Sequence, residues 1–216
     1  MPKIGMEPLR RAEAINAALE CFCIYGIEKT TLDMVAEQAG FSKGVVAYYF
    51  KSKKQLISDS LKSFLKAYKI KISSQITDQM TPVDMLKSVV EVSLPPMNEE
   101  KEEFLNVSDL EGAKPISLPE KKIAKLFSQY IARAALDDEL RETMREVYTQ
   151  DVAGIAEIIR YGKKYYHIRE LDEELTAYTL LTLIYGLSFF RITGFLISGK
   201  EDNRAAALRY IDALFS

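Results

Sequence analysis

Apolar residues recur at three- and four-residue spacing along almost the whole of this 216-residue chain, and the period is broken by helix caps, prolines and glycines. Strand-like alternation is nearly absent, so the chain is predicted to be all-α. From Leu9 to Tyr25, Ala12, Ile15, Leu19 and Phe22 share one face and Gly26 ends the helix. Thr30 with Asp33 makes a capping-box-like start to a short helix bearing Leu32, Val35, Ala36 and Ala39, closed by Gly40. Ser42 caps a third helix through Phe50, and Ser52 with Gln55 caps a fourth, whose apolar face includes Leu56, Ile57, Leu61, Leu65 and Tyr68. Thr81, Pro82 and Asp84 open a helix to about Leu94, ended by Pro95 and Pro96. A short acidic helix is predicted from Asn98 to Leu110 with Phe104 and Leu105 inward. Further helices are predicted from Pro119 to Leu136, Asp138 to Tyr165, Asp172 to Ser198 and Asp202 to Phe215.

Composition excludes several classes. With 48% apolar and 28% charged residues the chain is globular rather than disordered. Cys21 and Cys23 stand two apart on a helix and point away from each other, so they neither bridge nor share a metal, and a reducing cytosol is expected. The single histidine, His167, reads as a loop or helix-end residue. No nucleophile–base pair, metal set or phosphate loop is visible, so neither enzyme, metal nor cofactor is expected. The N-terminus is charged where a secretory signal is apolar, which predicts a cytoplasmic protein. The most apolar run, Thr176 to Phe190, has fifteen uncharged residues. A membrane span takes roughly 20, so a helix buried in a core or between subunits is expected.

Charge is uneven. Up to Lys71 there are 12 Lys and Arg against 7 Asp and Glu; beyond it there are 17 against 24. A basic front and an acidic rear suggest two units with different partners. The division is placed at 1–52 and 53–216.

The informative segment is Thr30 to Lys53, TTLDMVAEQAGFSKGVVAYYFKSK. A helix, a glycine turn and a second helix form a compact right-angled pair. Ala36 is small where the two helices cross, Gly40 suits the positive φ of the turn, and Val35, Phe41 and Val46 wedge the angle. At these residues the chain resembles the TetR family of bacterial transcriptional regulators, whose signature is a Thr-capped helix, an AG turn and a Ser-Lys-Gly-x-x-x-x-Tyr-Phe-x-x-Lys run. That run stands here as Ser42, Lys43, Gly44, Tyr49, Phe50 and Lys53. The resemblance covers about the first 60 residues. It implies an N-terminal three-helix DNA-binding domain followed by a larger helical effector-binding and dimerisation domain. Ala47 departs from the pattern, standing where the family often has an aromatic that touches the DNA backbone. The run GLSFFR, Gly186 to Arg191, is similar to one in the choline-responsive repressors of that family; no ligand is carried over from it.

The helix from Ser42 to Phe50 is the expected recognition element, entering the major groove N-terminus first. Lys43 is placed to donate to guanine O6 and N7, with Gly44 admitting close backbone approach and Val45 and Tyr48 available to bases. Thr30, Thr31, Ser42, Tyr49 and Lys53 are expected to hold phosphates.

A reader that small contacts one half-site, so a homodimer is expected. Its interface is assigned to Leu183, Gly186, Leu187 and Phe190 on the apolar helix and Leu208 and Ile211 on the next. The rear aromatics suggest a small-molecule effector site: Phe127, Tyr130, Tyr148, Asp151, Ile155 and Tyr178. Asp151 stands out, because it interrupts the apolar stripe Met144, Tyr148, Ile155, Ile158. An inward carboxylate is paired, neutralised or used. A cationic or hydroxylated ligand with cation–π help and a structural salt bridge are both open. The expected function is a repressor released from a double-stranded DNA operator by an effector. A helical protein-binding adaptor that has lost DNA binding is the alternative.

Overall fold

The computed structural model of the chain describes residues 6–95, 102–105, 116–166, 171–196 and 202–215. Among them the order is α1 (Glu7–Tyr25), α2 (Leu32–Ala39), α3 (Lys43–Tyr49), α4 (Lys53–Ser74), α5 (Pro82–Ser93), β1 (Glu102–Leu105), β2 (Ile116–Pro119), α6 (Glu120–Ala134), α7 (Asp138–Tyr166), α8 (Glu173–Thr193) and α9 (Arg204–Leu214). The fold is helical, as the periodicity predicts. It divides into two compact units, Met1–Ile70 with Lys101–Thr143, and Lys71–Glu100 with Met144–Ser216. His167 lies outside the described residues.

In the first unit Leu19 and Phe22 of α1, Val35 of α2, Val46 of α3, Leu56, Ile57, Leu61 and Phe64 of α4, and Leu126 and Tyr130 of α6 are all buried. Phe22 meets Tyr130 edge-on with ring centroids 6.4 Å apart. Arg11 lies over the Phe50 ring at 5.3 Å and pairs with Asp59 at 2.6 Å, joining α1 to the α3 C-terminus and to α4. The turn after α2 closes as the glycine predicts. Gly40 takes φ 67°, and the N–H of Phe41 reaches back to the carbonyl of Ala36 at 2.8 Å. The cap of α2 is Thr31 rather than Thr30, its hydroxyl accepting from the Met34 N–H at 3.2 Å.

The acidic helix expected from Asn98 to Leu110 is corrected where the chain is described. Residues 102–105 form β1, antiparallel to β2 with Glu102 opposite Pro119 and Leu105 opposite Ile116. Ile116 and Leu118, two apart, are both buried. The pairing is with a segment further along the chain, a partner that local helical periodicity does not register.

The second unit has its own core of Leu86, Val89, Val90 and Leu94, Ile155, Ala156 and Ile159, Ala177, Leu180, Leu181, Ile184 and Leu187, and Ala207 and Ile211. By length and composition α8 is apolar enough to cross a membrane, yet Thr176, Ala177, Leu180, Leu181, Ile184 and Leu187 pack its inner face into this core. Its end comes earlier than the expected Ser198, because Gly194 takes φ 72° and closes it. Arg191, the charge that follows the apolar run, is almost fully buried and well bonded. Its Nε donates to Asn203 Oδ1 at 2.7 Å, Nη1 to the Pro95 carbonyl at 2.6 Å and Nη2 to Asp202 Oδ1 at 2.5 Å. One guanidinium thus joins the end of α5, α8 and the start of α9.

Candidate nucleic-acid interface

Three residues at i, i+3 and i+4 decide which way α3 faces. Val46, Tyr49 and Phe50 are buried, so the opposite side carries Lys43, Gly44, Ala47 and Tyr48 outward. The Lys43 side chain is 74% exposed and Tyr48 63% exposed. Val45 is half-buried at the edge of this face. A Cβ at Gly44 would meet nothing nearer than Ser42 Oγ at 4.0 Å, so the chain's own packing does not demand glycine there. The space in front of it is open.

Both exposed polar groups of α3 already have carboxylate partners. Lys43 Nζ forms a close ion pair with Asp33 in the first turn of α2. Glu7 lies near enough to Tyr48 that its carboxylate, as acceptor and as charge, holds the phenol pKa above the ordinary value. Neither partner was expected from sequence, where Asp33 reads only as a helix-start residue. Thr31 and Ser42 are exposed at the N-cap positions of α2 and α3, and Ser42 makes no capping bond of its own. Lys53, half-buried at the start of α4, donates to the Glu28 carbonyl at 2.6 Å, and burial pushes its pKa down.

Two expected phosphate contacts are corrected. Thr30 is buried, its hydroxyl donating to the Gly26 carbonyl at 2.8 Å. Tyr49 is also buried, and its hydroxyl finds no hydrogen-bond partner among the described residues. Helix phase and the tight α1–α2 turn place both inward in the DNA-free chain.

The rear residues distribute differently from expectation. Tyr130 is fully buried in the first unit, where its hydroxyl donates to Ser60 Oγ at 3.0 Å, and Phe127 is half-buried beside Phe64. Ile155 belongs to the core of the second unit. Tyr130 is thus a buried residue with its hydroxyl bonded, and Ile155 is buried as well. Tyr178 is 61% exposed on α8. Tyr148 and Asp151 come together on α7: burial and then the Asp151 charge push the Tyr148 phenol up to about 12. The Tyr185 ring tilts against Tyr148 with centroids 5.3 Å apart.

On the apolar helices, Leu187 and Ile211 are buried inside the unit, which corrects their assignment to an interface between chains. Leu183 and Leu208 are half-buried against the same core. Leu175, Tyr178, Thr182, Gly186, Phe189 and Phe190 are exposed along α8.

Comparison with known proteins bears on the front of the chain most directly. Residues 14–59 match the family described as bacterial regulatory proteins, tetR family. The HTH-type transcriptional regulator BetI of Agrobacterium fabrum is 36% identical over 93 residues, 43% of this chain and 45% of that protein. BetI of Serratia proteamaculans is 30% identical over 92 residues, 42% of this chain and 46% of that protein. The chain thus spans less than half the length of the curated relatives it matches. The fold extends further. A TetR-family transcriptional regulator of Rhodococcus sp. superposes with a TM-score of 0.73 at 22% identity, over 96% of this chain and 98% of that one. A transcriptional regulator of Saccharomonospora viridis, solved in complex with choline, gives 0.73 at 19% identity over 94% and 93%.

Proposed function

We propose that this chain belongs to the bacterial regulatory proteins of the tetR family, whose pattern residues 14–59 match, and that it is a DNA-binding transcriptional regulator, a repressor released from its operator by a small-molecule effector. The observation that carries the reading is the outward face of α3, with Lys43, Gly44 and Tyr48 exposed on a helix-turn-helix whose inner face is locked by Val46, Tyr49 and Phe50. Lys43, Gly44, Val45 and Tyr48 meet bases; Thr31, Ser42 and Lys53 hold phosphates. The functional division falls at residue 52, with effector binding and dimerisation behind it. A protein that reads DNA in this way works in the bacterial cytoplasm and has no catalytic role.

Two copies present two recognition helices to a two-fold operator. The exposed stripe of α8, Leu175, Tyr178, Gly186, Phe189 and Phe190, supports a homodimer through that face, with the half-buried Leu183 and Leu208 at its edge. For the effector, the half-buried Asp151, whose charge reaches Tyr148, and the Tyr185 ring set against Tyr148 support a cation, carboxylate for charge and rings for cation–π contact. Choline is the first compound to test, since the Saccharomonospora viridis regulator was solved with it.

A salt titration on random duplex DNA tests the DNA-binding reading. Affinity that falls steeply and linearly in log salt is the mark of phosphate neutralisation. Affinity that is absent, or indifferent to salt, removes the proposal.

A further inference from the structure

In the DNA-free protein the outward face of α3 has one of the chain's own carboxylates against it. Lys43, the residue best placed to read a base, is paired to Asp33. Asp33 itself is 56% exposed and lies in the first turn of α2, where the helix dipole favours a carboxylate. Glu37 follows it by one turn and is also exposed. The reading face therefore carries anions directly beside its cation, although DNA is itself an anion.

We propose that Asp33 is a specificity-determining residue that acts as an internal competitor for Lys43. In the free protein its carboxylate neutralises the Lys43 ammonium. A phosphate alone must displace a carboxylate of equal charge and also approach Asp33, so random DNA gains little from Lys43. A guanine edge offers two neutral acceptors, O6 and N7, that the ammonium reaches without pushing a phosphate against Asp33. The exchange is accessible because exposed ion pairs of this kind are weak. The Asp33–Lys43 pair thereby lowers non-specific binding more than specific binding.

This inference rests on the DNA-binding reading above, and the test separates the two. Wild-type protein, Asp33→Asn, Lys43→Met and the double variant are titrated with a random-sequence duplex over a range of salt, each first checked by thermal melt; Asp33→Ser serves as a second neutral variant should Asp33→Asn melt early. Freed of its partner, Lys43 behaves as one additional phosphate-neutralising charge, so the log–log salt slope of Asp33→Asn steepens by about 0.9. Over the tenfold fall from 1 M to 0.1 M salt that slope gives roughly five- to tenfold tighter random binding. Adding Lys43→Met to Asp33→Asn removes that charge and returns the slope to the wild-type value. If the wild type binds DNA with a salt slope and the neutral Asp33 variants match it in slope and affinity, or bind more weakly, the competitor role is overturned while the DNA-binding reading stands. If no variant shows salt-dependent binding, both fall.

Discussion

Gln129 of α6 accepts the backbone N–H of Ile27 at 2.8 Å, across 102 positions of sequence. Ile27 is buried and follows Gly26, whose φ of 85° makes the turn out of α1. Beside this bond Arg133, one turn further along α6, pairs with Glu28, whose carbonyl receives Lys53. One face of α6 therefore grips the turn that leads into the reading helices. Gln129→Leu strands a buried N–H, and the expected loss is about 1–3 kcal/mol in a thermal or urea melt. Gln129→Glu keeps the acceptor and loses less. Gly26→Ala is expected to destabilise doubly, through the positive φ and through a Cβ that would lie 3.2 Å from Gln129 Oε1. Melts of Gln129→Leu and wild type that superimpose would show that the bond contributes nothing.

Lys43 and Lys53 are both cations at the reading end, but their surroundings differ. If Lys43 reads a base as proposed, Lys43→Ala removes a contact worth about 1–3 kcal/mol and is expected to weaken operator binding far more than random binding. Lys53→Ala should weaken both by similar factors. Since Lys53 also holds the Glu28 carbonyl, its removal lowers the melting temperature as well. Measured ratios of operator to random affinity check the assignment; equal ratios for the two variants mean that reader and positioner are reversed.

What was legible in the sequence was mostly local. Gly40 and the Thr-capped start of α2 announce the turn, because a positive φ and an N-terminal cap have few residue solutions. The inward phase of Tyr49 was legible too: Val46, Tyr49 and Phe50 stand at i, i+3 and i+4, and the family pattern obscured it by suggesting a phosphate role. Gly194 was missed as a helix stop because Phe190 and Phe195 on either side continue the apolar run. The β1–β2 pair, the Gln129–Ile27 bond and the burial of Tyr130 all depend on partners remote in sequence, and no local period encodes those.

Gly186 gives a direct test of the dimer. A Cβ added there meets nothing within 4 Å among the described residues, and the glycine is exposed in mid-helix. Gly186→Glu should therefore leave the protomer folded and yield monomers by light scattering, with operator binding lost although α2 and α3 are untouched. Leu187→Glu is a poorer probe, since it places the charge in the core. Wild-type protein that is monomeric at micromolar concentration would rule out the α8 interface.

Acid should loosen the junction between α7 and α8. Lys163 Nζ lies 2.8 Å from Glu173 Oε1 and 3.1 Å from the Leu171 carbonyl. The hydrogen bond from Lys163 holds the Glu173 carboxyl below its usual range. A carboxyl whose folded pKa is depressed stabilises fully above its unfolded value, about 4.3, and loses that stabilisation as pH falls through the folded value. Melting temperature measured from pH 6 down to pH 3 should decline more steeply for wild type than for Lys163→Met. Parallel curves would show that the pair carries no linkage.

Asp151 is where the effector reading is most exposed to test. It is half-buried one turn from Tyr148, and its charge adds to burial in pushing that phenol up to about 12. Asp151→Asn leaves the burial and removes the charge, so the Tyr148 pKa should fall, readable as phenolate absorbance in an alkaline titration. If the carboxylate serves a cationic effector, the variant melts close to wild type and binds operator normally, yet choline no longer raises its melting temperature or releases the DNA. If it serves a structural ion pair, the substitution strands a buried cation, for which about 3–5 kcal/mol is typical, and the melt without ligand shows it. The two roles thus differ in an experiment that needs no effector at all. A large fall in melting temperature assigns Asp151 to the fold, and the search for the effector's counter-charge then moves to another residue.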